Sequence, residues 1–333
     1  MSNPAPQLAG DRARAASTAT PFSFELYPPR TPEAGLALPD VITRLAASGP
    51  DFISVTYGAN GSSRSSSLAL LRHIKTHTNV DPMAHLTCVG SSHAEANRLI
   101  REFLDAGITS FLALRGDPPA GVDEQQVALG DLASAGELVQ LIHRVQAERV
   151  PYTEVELPGR PWATAVKKGR NKVRVSVAAF PGGHPRSRSF TQDVDALLAK
   201  EAAGADLAIT QLFFRADDYL SFVDRARTAG VTMPILPGIM PVTTPSRLHR
   251  TIELSGERLP LDLLAALETA DSPAQRFARG VEHASRLAAA VIDGGAPGLH
   301  LYTFNRYDAV LAVLDGCGLL TSRPSHHPIK ESA

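Results

Sequence analysis

Residues 22–30 read Phe-Ser-Phe-Glu-Leu-Tyr-Pro-Pro-Arg, a short strand running into a rigid turn. Phe22, Phe24 and Leu26 read as strand residues of mixed exposure. Pro28 and Pro29 lack the N–H that a central strand needs, so they end the strand and stiffen its exit. Thr31-Pro32-Glu33 then starts a helix that runs to about residue 48 and breaks at Gly49-Pro50. Glu25 is the odd residue in the apolar run. A carboxylate there is costly unless it is paired or working. A salt-bridged structural Glu and a working acid are both open at this point.

The strand–turn–helix unit repeats. Further apolar strands are expected at 52–57, 83–89, 111–114, 173–180, 207–214, 235–240 and 299–305. Helices are expected between them: 65–77, from Ser91 or Ser92 to Gly107, 132–149, 191–203, 217–229, two or three within 245–293, and 307–314. Strands that alternate with helices make a parallel sheet, because parallel strands need crossovers. Eight such units predict a closed (β/α)8 TIM barrel of the α/β class. No G-x-G-x-x-G follows the first strand, which argues against a Rossmann sheet. One stretch breaks the rhythm. Residues 149–172 are Pro-rich and basic, carry the only Trp, and read as an insertion before strand 5, a hairpin. Its run Lys167-Lys168-Gly169-Arg170 reads as a solvated turn, with phosphate binding as the alternative. The expected organisation is a flexible tail at 1–20, a catalytic barrel over 21–318 and a C-terminal tail at 319–333.

Composition narrows the class. The chain is 44% hydrophobic and 20% charged, enough for a large core. A formal net charge of −1 gives no basis for binding nucleic acid or an anionic membrane. Cys88 and Cys317 support neither a disulfide framework nor a zinc knuckle. No apolar run approaches the ~20 residues of a membrane span. Residues 1–20 lack the apolar core of a secretory signal, so a cytoplasmic address is expected. Helices on the outside of a barrel can pack barrel to barrel, so a homo-oligomer is expected.

In a barrel the chemistry sits at the strand C-termini. The residues there are Glu25; Thr56 and Tyr57; His85; Arg115, Gly116 and Asp117; His184; Gln211; Pro241 and Thr243; and Asn305 and Arg306. His85, His184 and His300 could be offered as metal ligands with Asp117. They are scattered singly and no H-x-H occurs, so hydrogen-bonding histidines are the better reading. There is no G-x-S-x-G elbow and no Schiff-base Lys at a strand end. One acid, a second carboxylate, an amide and Gly-lined turns suit a bound organic cofactor, with the protein supplying protons and electrostatics.

Seven motifs then carry a family resemblance. They are F-x-F-E-L-Y-P-P-R (22–30), S-V-T-Y-G-A (54–59), H-L-T-C (85–88), L-R-G-D-P-P (114–119), I-T-Q-x-F-F (209–214), P-G-I-x-P-V (237–242) and Y-T-x-N-R (302–306). In this order, from about residue 22 to 314, the chain resembles the bacterial-type methylenetetrahydrofolate reductases. The resemblance implies non-covalent FAD at the strand C-termini. It implies that NADH or NADPH reduces the flavin, which then reduces 5,10-methylenetetrahydrofolate to 5-methyltetrahydrofolate, feeding methyl groups to methionine synthesis. It also implies a catalytic barrel without the regulatory domain of eukaryotic members.

By the same resemblance Glu25 is the acid that protonates the folate nitrogen as the five-membered ring opens. Asp117 is the flavin-side aspartate that tunes the cofactor and touches the pterin. Gln211 contacts folate and nicotinamide, and Arg306 lies near the folate. The FAD residues implied are Thr56, Tyr57, Ala59, His85, Arg115, Gly116, Asp117, Ser134, Ala135, Phe180, His184, Asp193 and Lys200. Arg115 and Lys200 suit phosphate or ribose, and Asp193 suits adenosine-side hydroxyls or, alternatively, a plain helix N-terminal carboxylate. The chain departs from the family pattern at three places, one of them the 149–172 insertion, which the shortest members lack. His184-Pro185-Arg186-Ser187 stands where His-Pro-Glu-Ala is common, and Ser134-Ala135 where Tyr-Ala is common. The rival readings are another FAD-dependent barrel oxidoreductase, proline dehydrogenase-like, a metal-dependent hydrolase barrel, and a non-catalytic binding homologue, which should have lost Glu25.

Overall fold

The computed structural model describes residues 20–29, 31–56, 62–116, 130–149, 153–157, 160–167, 173–185 and 187–320; for 62–64, 153–157 and 160–167 it describes the backbone alone. In chain order the elements are β1 (Phe22–Leu26), α1 (Pro32–Ala47), β2 (Phe52–Val55), α2 (Ser62–His77), β3 (Asp81–Thr87), α3 (His93–Asp105), β4 (Ser110–Leu114), α4 (Ala135–Arg149) and the pair β5 (Thr153–Leu157) and β6 (Arg160–Lys167). They continue with β7 (Arg174–Ala179), α5 (Phe190–Ala202), β8 (Leu207–Leu212), α6 (Ala216–Thr228), β9 (Ile235–Ile239), α7 (Pro245–Ser255), α8 (Leu261–Glu268), α9 (Pro273–Asp293), β10 (Leu299–Tyr302) and α10 (Asp308–Gly316).

Eight strands close a parallel barrel in the order β1-β10-β9-β8-β7-β4-β3-β2, so the expected (β/α)8 architecture is the one observed. The first and last strands pair directly, Phe22 with Leu299 and Glu25 with Tyr302. The insertion is a hairpin: β5 and β6 pair antiparallel in a sheet of their own. Local signals mark the helix starts. Thr31, Ser189, Thr244 and Ser272 cap α1, α5, α7 and α9 with their side-chain oxygens. Ser92 and Glu95 form a reciprocal capping box on α3.

Strand side chains alternate between two interiors. Phe22, Phe24, Leu26, Ile53, Val55, Phe111, Val175 and Leu301 face the helices and join the main apolar shell. Met83, Leu112 and Ile209, with Phe52, Leu114 and Leu207 against them, plug the lumen. This corrects one expectation from the sequence. Phe22, Phe24 and Leu26 are not of mixed exposure; they are 2%, 0% and 0% exposed. A barrel strand is covered on both faces, so the residues between them, Ser23 and Glu25, point into the lumen rather than to water.

Candidate active site

Glu25 stands in the lumen on the last turn of strand before the Pro28-Pro29 exit. Its Oε2 lies 3.6 Å from His85 Nε2 and 3.7 Å from His300 Nε2. The Glu25 side chain keeps 19% of its surface exposed, whereas His85 and His300 keep 6% and 0%. Burial pushes the His85 ring toward its neutral form, Glu25 opposes that, and His300 adds to it. The acid is therefore open to a ligand from above and flanked by two imidazoles below.

The Y-T-x-N-R motif fixes the backbone around this acid. Thr303 Oγ1 donates to the Glu25 carbonyl at 2.7 Å. Asn305 closes a reciprocal pair with Tyr27: Tyr27 N–H donates to Asn305 Oδ1 at 2.9 Å, and Asn305 Nδ2 donates to the Tyr27 carbonyl at 2.8 Å. To reach that position Phe304 and Asn305 both adopt left-handed backbone, φ 53° and 56°. Non-glycine residues are rare there, and such strain gathers at ligand sites.

Gln211 owes its place to an irregularity. The β8–β9 register shifts between Ile209 and Leu212. A bulge re-aims the side chain that it carries. The freed groups are satisfied from neighbouring strands: Gly238 N–H donates to Thr210 Oγ1, and the Tyr302 hydroxyl donates to the Thr210 carbonyl, both at 2.8 Å. Tyr302 crosses β9 where Gly238 has no side chain. A Cβ there would lie 2.3 Å from the Thr210 carbonyl oxygen and 2.8–2.9 Å from the Tyr302 ring. Burial and Glu25 together push the Tyr302 phenol well above its ordinary range, so it stays a neutral donor.

The described residues among those that the resemblance assigned to FAD follow or lie beside the adjacent strands β2, β3, β4 and β7. Thr56 follows β2, His85 lies on β3 two residues before its end, Arg115 and Gly116 follow β4, Ser134 caps α4 at Ala135, and Phe180 and His184 follow β7. The Phe180 and His184 rings meet edge to face at 4.6 Å. Asp193, in the first turn of α5, accepts from His184 N–H at 3.2 Å and from the Ser187 hydroxyl. It thus ties His184 and Ser187 to α5. Lys200 donates to the Ala178 carbonyl at 2.8 Å; burial pushes its ammonium down to about 8, and Asp193 partly restores it. Tyr57, Ala59 and Asp117 lie outside the described residues.

Arg306 is exposed at the opposite rim, 3.4 Å from Asp308. Beside it is a residue that sequence reasoning missed. The half-buried Arg247 guanidinium lies over the Phe304 ring at 4.6 Å and loses basicity to burial and to Arg306. Both arginines line a cavity of about 30 Å³ with Tyr302 and Phe277. Nothing in the local sequence marks Arg247, one of many basic helix residues. Ser23, His300 and Tyr302 did carry a signal, the period-2 alternation of the first and last strands. An open cleft of about 1090 Å³ is lined by helix residues of α2, α3 and α4 and carries no part of this site. Among the described residues no group of three His, Cys, Asp or Glu is placed to hold a metal ion, and no helix is long and apolar enough to cross a membrane.

A family model described as methylenetetrahydrofolate reductase matches residues 11–318. The 5,10-methylenetetrahydrofolate reductases of Salmonella typhimurium and Escherichia coli are each 32% identical over 303 residues, covering 91% of both chains. Methylenetetrahydrofolate reductase (NADH) 1 of Arabidopsis thaliana is 32% identical over 302 residues, 90% of this chain and 49% of the relative. The chain thus spans about half the length of the plant relatives it matches. Among solved structures, a Clostridium thermocellum protein that binds two copies of 5-methyl-5,6,7,8-tetrahydrofolic acid superposes with a TM-score of 0.56 at 13% identity, covering 90% and 94% of the two chains, which is likeness of fold. With 308 of its 333 residues inside the family model (11 through 318 inclusive), the chain belongs to the methylenetetrahydrofolate reductase family.

Proposed function

We propose that the chain reduces 5,10-methylenetetrahydrofolate to 5-methyltetrahydrofolate with NADH or NADPH as hydride donor and non-covalent FAD as the carrier. The observation that carries this reading is Glu25: a carboxyl group in the lumen at the active end of a barrel of this family, open on one side and flanked by His85 and His300. A residue so placed can hand a proton to a ligand nitrogen above it, the step that opens the five-membered ring.

The rim fits FAD in its donor set. Lys200 and Arg115 are cations for the pyrophosphate, and the Phe180–His184 ring pair and the buried Asp193 offer apolar and polar contacts. A lysine pushed toward neutrality by burial is costly without a ligand, and phosphate oxygens beside it would restore its charge. When bound, FAD would supply the two-electron chemistry that no side chain offers. Asp117, carried by the motif after β4, is proposed as the residue that tunes the flavin and touches the pterin. Gln211 would orient the folate and the nicotinamide in turn. Arg306 and Arg247 would face the anionic end of the folate.

The test is an anaerobic visible spectrum of the purified protein, titrated with NADH and then with methylenetetrahydrofolate. A flavin band that bleaches with NADH and returns with the folate is the expected result. Bleaching without return would leave a flavin oxidoreductase barrel and remove the folate. Absence of a flavin band after addition of FAD would overturn the cofactor.

A further inference from the structure

The neighbouring strand β10 places a buried imidazole, His300, beside the Glu25 carboxyl group. His300 Nδ1 lies 2.8 Å from Ser23 Oγ, and Ser23 Oγ donates to the Leu299 carbonyl at 3.2 Å. A serine hydroxyl has one proton to give. If that proton goes to the Leu299 carbonyl, Ser23 Oγ accepts from His300 and the imidazole proton sits on Nδ1. A neutral imidazole protonated at Nδ1 has a bare lone pair at Nε2. His300 Nε2 is buried, has no hydrogen-bond partner among the described residues, and lies 3.7 Å from Glu25 Oε2.

A bare nitrogen lone pair facing a carboxylate oxygen in a closed lumen is repulsive. One proton between them removes the repulsion. Three other groups face the pair. His85 Nε2, 3.6 Å from the same Glu25 oxygen, is held toward neutrality by burial, so it brings no positive charge to the pair. The Tyr302 hydroxyl is spent on the Thr210 carbonyl. The Phe52 ring, stacked on His300 at 5.8 Å, closes the remaining side.

We propose that His300 is a positioning residue for the reaction. Its tautomer, set by Ser23, keeps one dissociable proton on the Glu25–His300 pair, so that Glu25 meets its substrate as the acid. In the step itself the Glu25 O–H bond breaks as the N–H bond forms on the leaving folate nitrogen and its bond to the bridging carbon opens. The pair is reloaded from water through the exposed side of Glu25. This rests on Glu25 being the acid proposed above.

The test has two arms, both on the full chain with FAD. The first is long-range ¹H–¹⁵N correlation of the [¹⁵N]histidine-labelled protein, with His300 assigned by its loss in His300→Asn. The Nδ1–H tautomer, or a doubly protonated ring, is expected; an Nε2–H tautomer overturns the proposal. The second arm compares His300→Asn with His300→Gln in the two half-reactions. Asn keeps a donor for Ser23 but offers nothing to Glu25, whereas the Gln carbonyl can reach Glu25 as an acceptor. The expected result is a loss of about tenfold or more in folate reduction for Asn, flavin reduction by NADH within about twofold, and substantial recovery in Gln. Equal damage to both half-reactions, or no difference between Asn and Gln, overturns the proposal in favour of a packing role. Glu25→Gln serves as the control. If it leaves folate reduction intact, the acid assignment itself fails, and the tautomer arm still reports on His300. If it abolishes folate reduction while His300→Asn does not, the role of His300 alone is wrong.

Discussion

At the scale of single residues, two ionisable groups that burial perturbs carry opposite signs of pH dependence. Lys200 has a folded value of about 8 against an ordinary 10.5. Between those values the unfolded chain binds more protons, so this group makes stability rise with pH from about 8 to about 10.5. Below that window the buried ammonium costs roughly 1–3 kcal/mol. Lys200→Met should therefore raise the melting temperature of the FAD-free protein at pH 7, flatten its pH dependence above 8, and weaken FAD about tenfold or more. Thermal scans with and without FAD would show this, and an unchanged pH profile would remove the argument. Glu257 is the mirror case. Burial, with a smaller push from Asp218, lifts its carboxyl to about 7, and it packs on Gly182, where a Cβ would lie 2.4 Å from Glu257 Oε1. Here the folded state binds more protons between 4.5 and 7, so stability falls as pH rises through that window. Glu257→Gln should make the protein more stable at pH 8 and leave it little changed at pH 4.5, as read by urea midpoints at the two pH values.

At the scale of elements, the site depends on how the last strand ties to its neighbours. Asn305→Ala removes two hydrogen bonds to Tyr27 and leaves a left-handed residue with no local compensation. A loss of about 2–3 kcal/mol is expected in the urea midpoint, with folate reduction falling more than flavin reduction. A variant of wild-type stability would mean that the β1–β10 tie is incidental. Gly238→Ala tests the bulge on β8. Its methyl would collide with the Thr210 carbonyl and the Tyr302 ring. A loss of about 2 kcal/mol and a raised KM for the folate are expected, because Gln211 shifts with Thr210. An unchanged KM would separate Gln211 from the bulge.

At the scale of the whole molecule, the barrel and the hairpin are separate sheets, and β5 and β6 pair only with each other among the described residues. Replacing residues 150–172 by a short Gly-Ser linker joins α4 to β7 with an ordinary helix–strand loop. The melting temperature should stay within about 4 °C. A drop of more than about 10 °C would show that the hairpin packs on the barrel. The barrel itself was legible in the sequence, because eight alternations of strand and helix with Ser/Thr starts and Gly or Pro stops leave parallel closure as the simple solution. Glu25 was legible too, as a charge in an apolar run. Tertiary structure alone decided the rest. Strand ends 277 residues apart in the chain, Ser23 and His300, become hydrogen-bonded neighbours only when the barrel closes. The same closure puts Tyr302 over Gly238 and onto Thr210, and brings Arg247 beside Arg306. Periodicity tells which face of a strand a residue occupies. Which partner it meets across the lumen depends on register, and register is set by packing around the whole ring.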